Sequence, residues 1–182
     1  MGVQMKILSL CDHTGIWGGQ YEDEYEVVYV DLQRNGSDIR LFQHTDKVHG
    51  IIAQPPCDHF AVSGARWWKA KGNDALLDGL QLVDACMRII LAHRPRWWVL
   101  ENPVGRLRHY IGPSVATFNP SDYGDPYTKR TCLWGEFTMP QKNPVAPIEG
   151  SKMHLVAPGP ERKNIRSATP LGFAKAFRMA NP

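Results

Sequence analysis

The sequence predicts an α/β domain in which a mostly parallel sheet is flanked by helices. Three observations carry that expectation. Residues 48–54 form a short apolar run stopped by Pro55-Pro56, and 97–100 form another that runs into Glu101-Asn102-Pro103; both read as buried strands. Between them, residues 73–93 place Leu76, Leu77, Leu80, Val83, Cys86, Ile89 and Ile90 at helical spacing, with Asn73 as N-cap and Arg94-Pro95 as the stop. Strand, helix and strand at this spacing form a parallel crossover unit.

The remaining elements follow in order. Met5 to Leu10 is the first strand, followed by a turn region containing Gly15, Gly18 and Gly19 where a backbone can approach a ligand closely. Glu26 to Val30 is the second strand, ending at Asp31, and Asp38 to Phe42 is expected as a third. A short helix is expected over Val104–Tyr110 and a further strand over Thr131–Trp134. From Glu136 to Asn164 periodicity is lost among prolines 140, 144, 147, 158 and 160, leaving irregular coil with one hairpin. Ser167-Ala168-Thr169-Pro170 then reads as a helix start. Phe173, Ala174, Ala176, Phe177 and Ala180 give the last helix an apolar face. The division is a core at 1–135, a proline-rich insert at 136–164 and a carboxyl-terminal helix at 165–182 that packs back on the core.

A chain of 182 residues can bury a real core, and 43% hydrophobic with 21% charged residues is the balance of a soluble globule. The net charge of +3 permits nucleic acid as a partner without demanding it. Cys11, Cys57, Cys86 and Cys132 are scattered, with no CxxC pair; without a signal peptide they read as reduced thiols of a cytoplasmic protein. No stretch reaches membrane-spanning length. Met1-Gly2 is followed by Lys6 where myristoylation needs Ser or Thr, so no acyl anchor is expected. Cys11-Asp12-His13 and Cys57-Asp58-His59 repeat a Cys-x-His pair, but this spacing is uncommon for chelation and no metal is expected.

The chemistry lies at two strand ends. In open α/β sheets, ligands bind in the crevice beyond the carboxyl ends of the strands. Most free cysteines are inert packing. Pro55-Pro56, however, removes backbone donors and forces an extended exit, so Cys57 projects from its strand. Glu101 arrives at the same edge. A thiol and a carboxyl delivered together suggest nucleophilic catalysis assisted by an acid.

In order and context these segments resemble the DNA (cytosine-5) methyltransferases, most closely the small phage-type members. Leu8 to Gly15 resembles the strand and loop that hold S-adenosylmethionine. Asp31 stands where the family has an acidic residue on the cofactor ribose. Pro55-Pro56-Cys57 followed by Phe60 resembles the nucleophile motif, and Glu101-Asn102 the motif whose glutamate meets the cytosine ring. Tyr123-Gly124-Asp125-Pro126, running to Trp134-Gly135, and Ala65-Arg66-Trp67-Trp68-Lys69 complete the likeness, which covers most of residues 5–135. It implies a Rossmann-like methyltransferase fold, with Leu10, Asp12, Thr14, Gly15, Asp31, Leu32 and Pro55 at the cofactor. It also implies Cys57, Glu101, Asn102, Lys129 and Arg130 at the reaction centre.

The implied chemistry explains these residue types. Cytosine C5 is too weak a nucleophile to take a sulfonium methyl unaided, and thiolate addition at C6 makes it enamine-like. A free thiol is only about three per cent ionised at neutral pH, so the site is expected to favour the thiolate. Glu101 would protonate or hydrogen-bond ring N3, which needs a carboxyl kept protonated by burial, and Asn102 would orient it. The base must be flipped or single-stranded. Arg66 and Lys69 can meet phosphate while Trp67 and Trp68 stack or fill the gap; alternatively both tryptophans pack beneath the long helix.

The departures matter too. His13 replaces a glycine of the family pattern. The family's Gln-x-Arg-x-Arg is here Tyr127-Thr128-Lys129-Arg130-Thr131, so Lys129 keeps one charge and Arg130 lies one place off, on the opposite strand face. Only the 136–164 segment stands where the family inserts a recognition domain, so low sequence specificity is expected. The expected function is S-adenosylmethionine-dependent methylation of cytosine C5 in double- or single-stranded DNA. Alternatives are methylation of a free cytosine nucleotide and a non-catalytic cofactor- or DNA-binding protein. A homodimer would supply DNA-binding surface that one chain lacks.

Overall fold

The computed structural model describes residues 4–43 and 45–182. The acylation expectation falls partly on residues 1–3, outside that range. Six strands form one sheet: β1 (Lys6–Leu10), β2 (Glu26–Val30), β3 (Val48–Ala53), β4 (Trp97–Pro103), β5 (Ala116–Phe118) and β6 (Thr131–Glu136), in the order β2-β1-β3-β4-β6-β5. β1 to β4 are mutually parallel, while β6 runs antiparallel to both β4 and β5. Helices are α1 (Leu32–Asn35), α2 (Trp68–His93), α3 (Arg108–Ile111), α4 (Arg162–Ser167) and α5 (Leu171–Ala180). This is the mostly parallel, helix-flanked α/β sheet that the sequence predicts.

Alternation along the central strands explains why both faces need cover. Leu8, Leu10, Ile51, Ala53 and Leu100 face α2, whose Val83, Ala85, Cys86, Ile89 and Ile90 complete one fully buried layer. Ile7, Ile52, Val99 and Leu133 face the other way, onto Trp17, Tyr21 and the Phe173, Ala174 and Phe177 face of α5. Successive strand residues point to opposite faces, so a strand apolar at every position is one covered on both sides. The terminal helix is therefore integral to the core. Its Phe173 ring stacks on Phe118 at 3.8 Å between centroids.

Several expectations need correction. Residues 38–42 are a turn, not a strand: the Asp38 carboxylate accepts the Arg40 amide at 2.9 Å, a local bond that competes with strand pairing. The helix expected over 104–110 shrinks to α3, because Gly105 pairs with Ala61 in an isolated bridge and the Arg106 amide donates to Phe60 O. The long helix has a further helical turn before it, from Trp68, separated by a kink at Gly72, φ 75°, immediately before the expected Asn73 start. The helix start read at 167–170 falls at its last residue, with Pro170 at the N-cap of α5. The 136–164 segment has no hairpin among the described residues; it carries the end of β6, a 3-10 turn at Lys152–His154 and the start of α4. The sequence reading also missed β5 and α1.

Candidate active site

The carboxyl ends of β1, β3 and β4 lie side by side, Leu10 in register with Ala53 and Ala53 with Leu100. The chain order reverses at β1, with β2 on one side and β3 on the other, which is where open α/β sheets form their crevice. β6 runs antiparallel beside β4, so the residues entering it, opposite Pro103, reach the same edge. A cavity of about 60 Å³ opens there. Its walls include Asp12 and Thr14 from the β1 loop, Pro55 and Cys57 after β3, Glu101 on β4 and Lys129 before β6.

Two strand ends become one rigid unit through hydrogen bonds between the segments that follow them. The Asn102 side-chain amide donates to Pro55 O at 2.9 Å. Val62 N donates to Val104 O, and Arg106 N to Phe60 O, both at 2.9 Å. The Arg106 guanidinium reaches His59 O at 2.7 Å. Cys57 O accepts the Phe60 and Ala61 amides, closing a turn directly behind the nucleophile candidate. Gly105 permits this approach, because a Cβ there would overlap the Phe60 carbonyl. Neighbouring strand residues face opposite ways, so Glu101 points into the cavity while Asn102 turns from it. Asn102 thus anchors the cysteine loop and not the glutamate it was expected to orient.

Electrostatics divide the pair. Burial holds the Glu101 carboxyl above its ordinary range, against the pull of Lys129. Burial likewise pushes the Cys57 thiol up to about 11, reinforced by the charges of Glu101 and Asp58 and opposed by Lys129. The glutamate environment matches the expected acid. The cysteine environment is the reverse of the thiolate-favouring site expected from sequence.

The β1 loop is built around Asp12. Its buried carboxylate accepts Ser9 Oγ, Gly15 N and Gly18 N, each within 3.0 Å. The loop turns at Cys11 and Gly15, at φ 57° and 69°. Asp31 caps α1 by accepting the Gln33 and Arg34 amides at 2.8 Å. Its carboxylate lies 3.9 Å from His13 Nδ1, a buried nitrogen with no hydrogen-bond partner among the described residues. Leu10 is wholly buried, and its carbonyl accepts the Gln54 amide at 2.9 Å, whereas Leu32 is exposed beside Asp31. Leu10, Gly15, Asp31 and Leu32 do not line the Cys57 cavity, nor do Asn102, exposed Arg130, or the Arg66–Lys69 stretch.

The two tryptophans separate. Trp67 is 53% exposed, with Arg66 5.0 Å above its ring. Trp68 is half-buried beneath Arg106, 4.4 Å from its ring centre. Sequence reasoning assigned no site role to the wall residues Cys11, His13, Gln54, Pro56, Pro103, Arg166 and Ser167. His13 was noted only as a departure, and Arg166 and Ser167 fall where no motif marks them. Among the described residues no three His, Cys, Asp or Glu side chains converge in a metal-binding arrangement, and no helix is long and apolar enough to cross a membrane.

No family profile and no curated protein matches the sequence. Solved structures do. The fold is similar to that of an E. coli protein described as a DNA modification methyltransferase encoded within a prophage, with a TM-score of 0.54 and 17% identity, covering 78% of this chain and 53% of that one. It is also similar, at a TM-score of 0.45 and 13% identity, to the Entamoeba histolytica methyltransferase EhMeth, covering 87% and 61% of the two chains. The chain thus has a methyltransferase-like α/β fold, and it spans about half the length of the prophage protein.

Proposed function

We propose that this protein methylates C5 of cytosine in DNA, with Cys57 as nucleophile, Glu101 as acid and S-adenosylmethionine as methyl donor. The observation that carries the proposal is that Cys57, Glu101 and Lys129 line one cavity at the carboxyl edge of a methyltransferase-like sheet. The Cys57 sulfur adds to C6 as its thiol proton passes to solvent, while the Glu101 carboxyl shares its proton with N3. C5 then takes the methyl group that the donor would supply, and loss of the C5 proton to solvent expels the sulfur as thiolate and restores the ring.

The high pKa of Cys57 fits a thiol activated only with substrate in place. The Glu101 charge is one cause of that high value. A Glu101 that is protonated and bonded to N3 no longer repels a thiolate, and the pull of Lys129 remains. Free protein therefore keeps its nucleophile neutral, which also protects it from oxidation.

The loop after β1 suits the donor. When bound, S-adenosylmethionine supplies its methyl group as a sulfonium electrophile. The unpartnered His13 Nδ1 facing Asp31 fits a ribose hydroxyl, and exposed Leu32 fits an aromatic base. DNA is favoured over a free nucleotide by Trp67, Arg66 and Lys69, which lie outside the Cys57 cavity and would meet flanking strand. The name of the prophage neighbour points the same way.

The test is incubation of the protein and methyl donor with DNA containing 5-fluorocytosine. Fluorine cannot leave as the C5 proton does, so the expected result is a stable protein–DNA adduct, lost in Cys57→Ser. No adduct on duplex or single-stranded DNA would overturn the proposal.

A further inference from the structure

The segment between β6 and α5 is too short and irregular to present a rigid reading element, yet its last turn forms part of the cavity wall. α4 carries three basic residues and no acid in its six positions, and two of the three are committed. The Arg162 guanidinium donates to Val156 O, and Lys163 pairs with Asp58 at 2.6 Å. Arg166, one turn beyond Lys163, makes no ion pair or hydrogen bond among the described residues, although it lines the cavity with Cys57 and Glu101.

Arg166 is held in this place by its neighbours. Lys129 Nζ donates to Ala168 O at 3.2 Å, and Thr169 Oγ1 to Gln54 Oε1 at 2.8 Å. Lys129 is the cation that acts on Cys57 and Glu101. A cation that lines a cavity and pairs with no anion among the described residues is suited to an anion brought by the ligand. Basic groups continue from it around the nucleophile loop. Lys71 Nζ donates to Asp58 O, so the start of α2 and α4 meet at the residue after Cys57, and Arg66 and Lys69 follow on the exposed side.

We propose that α4 is one wall of a nucleic-acid groove, with Arg166 holding a DNA backbone phosphate beside the nucleotide whose base enters the Cys57–Glu101 cavity. The assignment rests on the DNA-modifying function proposed above. It gives the segment between β6 and α5 a positioning role that carries no sequence information, since phosphate contacts fix register without reading bases.

The test is fluorescence anisotropy of the full chain on two unrelated labelled duplexes, from about 50 to about 200 mM salt. In Arg166→Gln the slope of log affinity against log salt should fall by about one, with affinity down about tenfold at low salt on both sequences alike. Arg166→Lys should keep the slope and recover most of the affinity, and the pH profile of Cys57 alkylation should stay as in wild type. An unchanged slope in Arg166→Gln overturns the assignment, as does a shifted alkylation profile without loss of affinity. An equal fall in the control Arg40→Gln, an exposed arginine paired with Asp38, overturns it too. Adduct formation by wild type with an unchanged Arg166→Gln slope removes the phosphate role alone; a reduced slope without any adduct removes the chemistry alone.

Discussion

Asn102 and Pro55, 47 positions apart, are joined by a 2.9 Å hydrogen bond from side-chain amide to backbone carbonyl. The bond ties the loop carrying Cys57 to the strand carrying Glu101, so the relative position of the thiol and the carboxyl is set by a residue that faces neither. Asn102 is wholly buried, and its Oδ1 has no partner among the described residues. Its conformation is therefore governed by the single bond that its amide makes.

Asn102→Ala leaves Pro55 O unpaired in the interior and is expected to cost about 1–3 kcal/mol in denaturant unfolding. The larger effect is on geometry. A displacement of the nucleophile by about 1 Å can cost about a hundredfold in rate, so adduct formation on 5-fluorocytosine DNA should fall much further than stability does. Equal losses in the two measurements would assign Asn102 to folding alone.

Gly105→Ala probes the same junction from the other side. The added methyl meets the Phe60 carbonyl, which is backbone and cannot rotate aside. The bridge to Ala61 must open, and Cys57 loses its fixed distance from Glu101. The expected outcome is a folded protein, by circular dichroism, without adduct formation. Gly64→Ala, with only an ordinary contact to Asp58 O at 3.9 Å, should retain activity.

Glu101 makes stability depend on pH in a definite direction. Its folded-state pKa lies above the unfolded value because burial penalises the charged form. The folded state thus binds more protons than the unfolded one between the two values, and stability falls as pH rises through that window. Below the unfolded pKa, near 4.3, both states are protonated and the penalty vanishes. Glu101→Gln should therefore melt higher than wild type at pH 7.5, the difference shrinking toward pH 4. Calorimetric scans across that range check it, and a constant offset would exclude Glu101 as the source.

Cys57 should be a slow thiol at neutral pH. With its pKa pushed up to about 11, iodoacetamide labelling at residue 57 should keep rising well past pH 9, where an ordinary thiol levels off. Lys129→Gln removes the cation that favours the thiolate, so its profile should shift to still higher pH. Mass spectrometry of the labelled peptide resolves Cys57 from Cys11, Cys86 and Cys132.

The tryptophans should separate function from stability. Trp67→Ala removes a mostly exposed ring and should change stability by less than about 0.5 kcal/mol while weakening DNA binding by about 1–3 kcal/mol, the worth of one stacked base. Trp68→Ala removes a ring packed under Arg106 and should cost about 2 kcal/mol of stability, from lost packing and the cation–π contact. Melting curves and DNA titrations on both variants decide the matter.

The sequence by itself determined the strands that become central and what stands at their ends. Apolar runs stopped by proline identify β3 and β4, helical spacing identifies α2, and strand ends in such a sheet point to Cys57 and Glu101. These signals are local, because a strand buried on both faces or a helix buried on one must show it within a few residues. Tertiary structure alone decided which partner each polar group finds. Asn102 holds Pro55 and not Glu101, Trp67 parts from Trp68, residues 38–42 turn instead of pairing, and Arg166 reaches the cavity wall from a region no motif marks. Electrostatics were decided at the same level: whether Cys57 is a ready or a resting nucleophile depends on burial and on charges at residues 58, 101 and 129, which only the folded chain brings together.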